Sequence, residues 1–419
     1  MQLFLRGVVL PFQKGEAMET DIETFTVTRP VRIPLAKGDE DHPLATVGED
    51  YSPAEGEELC RRDGLPILAT TAGTLSGTVM LRHSLYGEVL CAEIEPAEGA
   101  VHTLPVPTEE ELTPERILQT AVEAAIYDEL DGTPLAEKLA RWQLPANDPA
   151  AMHSILVADA TENDIFGSSA WAVLNAYGEE VLYGLQMAAR CLRFTRYHIA
   201  TMLPRQHRRA LKRRIGRENV YTVGDEYPVT VFADDREEVF RIGAQACLAL
   251  AKALREGQRH THTVVTVAGD AVPASRNLLV PFGTDIGELL EHCQAAPDAR
   301  VILGDAMTGA VCEDSHTPLL PGVTTLLAMK ARTPQTAGPC MGCGRCAAVC
   351  PAELLPYEIV RRLENMHYER LQHLDASACI GCAACSYVCP AARDVAADVL
   401  QAAQTRGTMF LNWGEDDHE

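Results

Sequence analysis

The spacing of apolar positions changes several times along this chain, and each change marks a candidate boundary. Residues 1 to about 35 alternate loosely between apolar and polar, with β-rich runs at Phe25-Thr-Val-Thr and Val31-Arg-Ile. Short strand-like runs broken by Gly and Pro continue to Pro107, among them 65–70 and 87–94. They predict a small all-β module over residues 1–107. A Pro- and Glu-rich joint from Pro105 to Pro114 closes it.

The period then lengthens. Ile117, Val122, Ala125 and Ile126 recur at helical spacing, so 115–142 reads as helical, with a second short helix from Pro134 to Trp142. Ile155-Leu-Val-Ala is a short apolar strand. Ser168 and Ser169 are candidate caps for a helix striped with Leu174, Tyr177, Val181, Leu182, Leu185 and Ala188. Strands at 198–203 and 219–223 and a long helix over 239–255 complete the alternation. Strands joined by helices predict a parallel, Rossmann-like α/β domain over 108–260.

From Val264 the β pattern returns. Two strands, a helix near Ile286 and a strand at Val301-Ile-Leu predict a β-grasp-like domain over 261–332, closed by the glycine-bounded loop 304–309. A polar linker leads into a last unit, 333–419. There Val360, Leu363, His367, Leu371 and Leu374 predict one helix with His367 as a core or boundary residue, and Val395 and Val399 a second. The tail 414–419 is acidic and expected to fray.

Composition narrows the function classes. A formal net charge of −23 argues against nucleic acid, whose phosphates need a basic surface. No apolar run reaches the roughly 18 residues of a membrane span, and the N-terminus lacks a secretory pattern. A cytoplasmic location, with at most peripheral attachment to a membrane, is the expectation. Against the acidic background, 205–217 is strongly basic, either as a solvated helix face or as a docking patch for an acidic partner.

The sharpest chemistry lies in the cysteines. Cys340, Cys343, Cys346 and Cys350-Pro351 form one run, and Cys379, Cys382, Cys385 and Cys389-Pro390 repeat it. Each is C-x2-C-x2-C-x3-C-P, the run that two-cluster bacterial ferredoxins use for a pair of 4Fe–4S clusters. Three closely spaced thiolates wrap one corner of a cubane, with Gly342, Gly344 and Gly381 supplying the tight loop. In this pattern the fourth cysteine ligates the other cluster. The expected ligand sets are therefore Cys340, Cys343, Cys346 and Cys389, and Cys379, Cys382, Cys385 and Cys350. Zinc would require neither the third C-x2-C step nor the trailing proline. Met341, Val349, Ile380 and Val388 are expected to keep water from the clusters. The remaining cysteines, Cys60, Cys91, Cys191, Cys247, Cys293 and Cys312, read as small buried hydrophobes.

Two resemblances extend this picture. Thr46-Val-Gly-Glu, Ala54-Glu-Gly-Glu-Glu and Thr71-Ala-Gly-Thr-Leu-Ser-Gly77 resemble the element order of barrel-sandwich hybrid domains. The absence of lysine between Lys37 and Lys138 removes any swinging prosthetic arm there. With a soluble-ligand-binding β-grasp (SLBB-like) domain over Val264-Val-Thr-Val-Ala-Gly, Val280-Pro-Phe-Gly-Thr-Asp-Ile and Val301-Ile-Leu-Gly-Asp-Ala-Met-Thr-Gly, and then the cysteine runs, the order resembles the RnfC family of the Rnf electron-transport complex. That resemblance implies a central domain that takes hydride from NADH onto FMN and passes electrons singly to the clusters.

The flavin-binding residues depart from the family. Its glycine-rich loop corresponds to 139–153, and no glycine occurs between Gly132 and Gly167. Its acidic element is replaced by Ala160-Thr-Glu162-Asn-Asp164, and a later lysine-containing segment by Tyr221-Thr-Val-Gly-Asp-Glu-Tyr-Pro228. The expectation is an electron-transfer protein with two 4Fe–4S clusters and no catalytic acid, base or nucleophile, working between protein redox partners. Those partners would be a ferredoxin, a flavoprotein or Rnf-type membrane subunits. FMN binding and unaided NADH oxidation are not expected. Two other readings stay open: an FMN-dependent NADH oxidoreductase with a divergent loop, and a non-redox scaffold stapled by clusters.

Overall fold

The computed structural model describes residues 6–18, 21–37, 51–145, 148–229, 238–333, 335–367 and 371–412. Thr46-Val-Gly-Glu and the acidic tail lie outside them.

Alternation in the first β region has the expected result. Val31–Lys37, Gly87–Pro96 and Gly73–His83 form an antiparallel sheet in that order. Glu58–Arg62 and Leu65–Leu68 form a separate hairpin. Its turn, Asp63-Gly64, has both φ values positive (51° and 82°), which matches the right-handed twist of the flanking strands. Val31, Ile33, Leu35, Leu59, Ala92 and Ile94 share the core between them.

The N-terminal segment does not stay with this sheet. Val8–Val9 pairs with Glu226–Tyr227, and Ile22–Thr24 joins the edge of the third sheet beside Arg276–Pro281. Short runs without strong alternation carry little register information of their own, so partners distant in sequence decide where they pair.

The middle of the chain is a parallel sheet in the order Val220–Thr222, Arg196–Thr201, Ser154–Ala160, Glu238–Gly243. Every residue of Ser154–Ala160 is buried, as expected for a parallel strand covered on both faces. The helix Ser169–Leu192 lays Leu174, Val181, Leu185 and Leu192 into the main core. Truncating one of those leucines to alanine would cost about 2–5 kcal/mol.

The expected helix over 239–255 is instead a strand, Glu238–Gly243, followed by the helix Ala244–Glu256. Val239-Phe-Arg-Ile favours the extended state, and pairing with Ser154–Ala160 satisfies its backbone. The carboxylate of Glu129 then accepts from the amides of Gln245 and Ala246, which fixes the helix start after Gly243.

The third sheet is mixed, with Thr325–Met329 between Arg300–Leu303 and His262–Ala268. Ile286–His292 packs on it through Ile286, Leu289 and Leu290, capped by Asp285. Sequence pattern missed Thr325–Met329, whose continuous apolar run has no period.

The last unit is helical: Arg345–Val349, Pro356–Glu364, Ala384–Tyr387 and Val395–Asn412. The single helix expected over 360–374 ends at Glu364. Met366 takes a left-handed conformation (φ 54°), and His367 is exposed rather than at a core face.

Candidate metal centre

The two cysteine runs trace one path twice. Gly342 and Gly381 sit at φ 65° and 69°, and Gly344 and Ala383 at 73° and 58°. After each left-handed residue a short helix begins, at Arg345 and at Ala384. A side chain at Gly342 or Gly344 would meet open space, so backbone conformation and not room sets the need for glycine there. The Gly381 amide donates to the Cys379 sulfur at 3.4 Å.

This repeated path brings the eight cysteines into two hollows. One is lined by Cys340, Cys343, Cys346 and Cys389, with Tyr357 and Val360 behind them. The other is lined by Cys350, Cys379, Cys382 and Cys385, with Leu354 and Val399. Each hollow thus takes three thiols from one run and one from the other. Among the described residues no three His, Cys, Asp or Glu side chains stand close enough to hold a single ion. Four thiols spread around a hollow suit a group larger than one ion, and an all-thiol donor set suits iron–sulfur clusters. Burial pushes the Cys346 and Cys382 thiols up and that of Cys385 up to about 12. Without metal these thiols are neutral, and ligation requires their protons to leave.

The hollows differ in their surroundings. Cys340 and Cys343 are exposed, whereas Cys379 and Cys382 are half-buried. Val8, Leu10, Tyr227 and Met307 pack with Cys382, Ala384, Val349 and Val388. The Tyr227 hydroxyl donates to the Cys382 carbonyl at 2.8 Å. Of the four apolar residues expected to exclude water, Val349 and Val388 are packed. Met341 and Ile380 are 64% and 60% exposed, because their loops turn those positions outward.

At the parallel sheet, the edge where such folds usually take ligands is filled by the chain's own groups. Glu162 accepts from the amides of Ala170 and Trp171 and from the Ser169 hydroxyl, at 2.8–3.1 Å. It holds the N-terminus of Ser169–Leu192. Ser168, expected as the cap, donates instead to Asn277. Glu129 occupies the next helix start, and Gly243 lies so close that a Cβ would meet its carboxylate at 2.0 Å. Burial pushes both carboxyls up, that of Glu162 against the opposing pull of Lys14.

Lys14 is itself buried. It donates to the Glu162 and Gly167 carbonyls and to Asp164, and lies 4.8 Å from the centre of the Trp171 ring. Lys14, Glu129 and Tyr227 were not legible as partners in the sequence, since each meets residues far along the chain. Within 139–153, Asp148 accepts from the Ala150 amide and caps a short turn, Pro149–Met152, and Arg141 is exposed.

The basic run forms the helix Arg205–Ile215, seated by Leu211 and Ile215, with Leu211 packed closely against Gly178. Arg205, Arg209, Arg213, Arg214 and Arg217 are exposed. Of the other cysteines, Cys91, Cys191, Cys247 and Cys293 are buried and Cys60 and Cys312 half-buried. No described helix is long and apolar enough to cross a membrane.

These features define an iron–sulfur protein of the electron-transfer kind, and residues 339–392 match the family model of the 4Fe-4S dicluster domain. Along most of its length the chain is similar to RnfC, the C component of the ion-translocating oxidoreductase complex and the family that the sequence resembles. It is 26% identical to the RnfC of Rhodobacter capsulatus over 414 residues, 86% of this chain and 75% of the relative. The Vibrio cholerae protein is 25% identical over 408 residues, 88% of this chain and 51% of the relative. In Cronobacter sakazakii identity is 34% over 116 residues, 26% of this chain and 15% of the relative. Two crystal structures of NAD+-reducing [NiFe]-hydrogenase, air-oxidized and H2-reduced, align with TM-scores of 0.45 and 0.47 at 14% and 15% identity. They cover 62% and 73% of this chain and 54% and 67% of theirs, a likeness too low to bear on function.

Proposed function

We propose that this chain is an electron-transfer subunit of an oxidoreductase complex, holding two 4Fe–4S clusters and relaying single electrons between protein partners. The observation that carries the proposal is the pair of four-cysteine hollows. Cys340, Cys343, Cys346 and Cys389 hold one cluster, and Cys379, Cys382, Cys385 and Cys350 the other. When bound, such a cluster accepts and returns one electron without bond-making to substrate. The chain's own part is to bind, orient and shield. Left-handed Gly344 and Ala383 lead each run into its short helix, the Gly381 amide stabilises charge on a sulfur, and Val349 and Val388 keep water from one side.

Four units would divide the work. Residues 1–107, apart from Val8–Val9 and Ile22–Thr24, which pair elsewhere, are a barrel-sandwich hybrid module, 108–260 a Rossmann-like domain, 261–332 an SLBB-like β-grasp and 333–419 the dicluster ferredoxin domain. The relatives' name supports partner subunits in an ion-translocating complex, and peripheral attachment to a membrane is part of this reading.

The Rossmann-like domain works without flavin in this reading. A flavin phosphate carries about two negative charges and needs converging N–H donors or cations. Here two helix N-termini are already occupied by Glu162 and Glu129, and the glycine-free stretch spends its Ala150 amide on Asp148. Anaerobically purified protein is expected to carry about eight irons and eight sulfides, as two cubanes require, with no flavin. Zinc without labile sulfide would remove the cluster reading. Micromolar flavin binding with NADH-dependent cluster bleaching would keep the clusters but replace the flavin-free relay with an FMN-dependent NADH oxidoreductase.

A further inference from the structure

Tyr227 belongs to neither cysteine run, yet it touches one of them. It lies in the two-residue strand Glu226–Tyr227, pinned by Val8–Val9 on one side and by the Asn163 amide, which donates to the Glu226 carbonyl at 2.7 Å. The backbone approach is close: a Cβ on Gly7, at φ 146°, would meet the Tyr227 carbonyl at 2.7 Å. The side chain is 8% exposed and packs with Val8, Leu10, Met307 and Ala384. Three separate parts of the chain therefore converge on the second run: the N-terminal strand, the segment between the parallel-sheet strands Val220–Thr222 and Glu238–Gly243, and the 304–309 loop. They present one hydroxyl to it, 2.8 Å from the Cys382 carbonyl. Cys343, the repeat-related counterpart of Cys382, is exposed.

We propose that Tyr227 is a positioning residue that makes the two repeat-related cluster sites unequal, by clamping the Cys382 peptide and aiming an O–H dipole at it. The proposal rests on the two-cluster reading above. A donor whose positive end faces the ligand loop favours the more negative, reduced state. Its removal disfavours reduction of the site lined by Cys350, Cys379, Cys382 and Cys385 and leaves the other as it was. Phenylalanine keeps the ring and its packing and deletes only the hydroxyl, so Tyr227→Phe isolates the hydrogen bond.

The test is an EPR-monitored redox titration of the full-length, anaerobically purified protein, with Cys343→Ser and Cys382→Ser used to assign the two signals. For Tyr227→Phe at wild-type iron and sulfide content, the expected result is a lower midpoint for the Cys382 signal alone. The expected change is up to about tenfold in its reduction equilibrium, about 59 mV for one electron. Val8→Ala loosens the same packing while keeping the hydroxyl and is expected to leave both midpoints in place. Unchanged midpoints in Tyr227→Phe, equal shifts of both signals, loss of iron from both hollows, or a Val8→Ala shift matching that of Tyr227→Phe would each overturn the proposal. Absence of any cubane signal in the wild-type protein would overturn the two-cluster reading itself, which separates the two failures.

Discussion

Cys340–Cys350 and Cys379–Cys389 follow the same backbone path, with left-handed residues at matching positions and a short helix after each. Their surroundings are not the same. The first loop presents Cys340 and Cys343 to solvent. The second is backed by Val8, Leu10, Tyr227 and Met307 from three other parts of the chain. A local repeat has thus been built into an asymmetric molecule. Ligand spacing is a property of a dozen consecutive residues, whereas hydration and second-sphere hydrogen bonds depend on what packs against them. For a cluster protein the second set bears on potential and access, so equal loops need not be equal redox sites.

The strongest way to break the comparison is to exchange the fourth ligands. With crossed ligation, Cys350→Ser is expected to lose the same EPR signal as Cys382→Ser, and Cys389→Ser the same signal as Cys343→Ser. Each should lose about half the iron, since one of two cubanes is damaged. If Cys350→Ser instead matches Cys343→Ser, each run holds its own cluster and the pairing drawn from the hollows is wrong. A smaller effect tests exposure. On treatment with a ferrous chelator after mild oxidation, the signal assigned to Cys343 should disappear before that assigned to Cys382, because iron held beside exposed Cys340 and Cys343 is the more open to the chelator. Loss in the opposite order would show that the packing around Tyr227 gives no protection.

The smallest effect concerns the loops themselves. Gly344→Ala places a Cβ at φ 73° in open space, so only the left-handed backbone penalty applies, roughly 1–2 kcal/mol. Ala383→Gly relieves that penalty at the matching position, less the extra chain entropy of glycine, for a net gain of about 0.5–1 kcal/mol. Thermal melting of the two loaded variants measures both, and equal destabilisation by both changes would mean that the loops are not conformational equivalents.

Legibility in the sequence followed the range of the interaction. The cysteine pattern, the long helix around Leu174 to Leu185 and the helix at Ile286–His292 rest on local spacing and were readable. Glu238–Gly243 was not, because Val239 to Ile242 runs straight into a helix and the pairing that makes it a strand comes from Ser154–Ala160. His367 carries the spacing of a core position but follows a left-handed residue that ends the helical path, and so faces solvent. Ser168 had the chemistry of a cap, yet Glu162 holds the helix, since its two carboxylate oxygens accept from two amides, those of Ala170 and Trp171.

By itself the sequence pointed to the proposed donor set. Two C-x2-C-x2-C-x3-C-P runs specify thiolate ligation of iron–sulfur clusters, because cluster geometry demands that spacing over a few residues. The sequence also showed that 133–166 contains no glycine, from which the expectation of no flavin phosphate there follows. Tertiary structure alone decided which loop is sheltered, and that Lys14, Glu129 and Glu162 fill the edge of the parallel sheet. Several of those outcomes depend on contacts between residues separated by a hundred or more positions, as Tyr227 and Cys382, Lys14 and Asp164, and Glu129 and Ala246 are. A one-dimensional pattern carries no record of such a contact until the chain has closed upon itself.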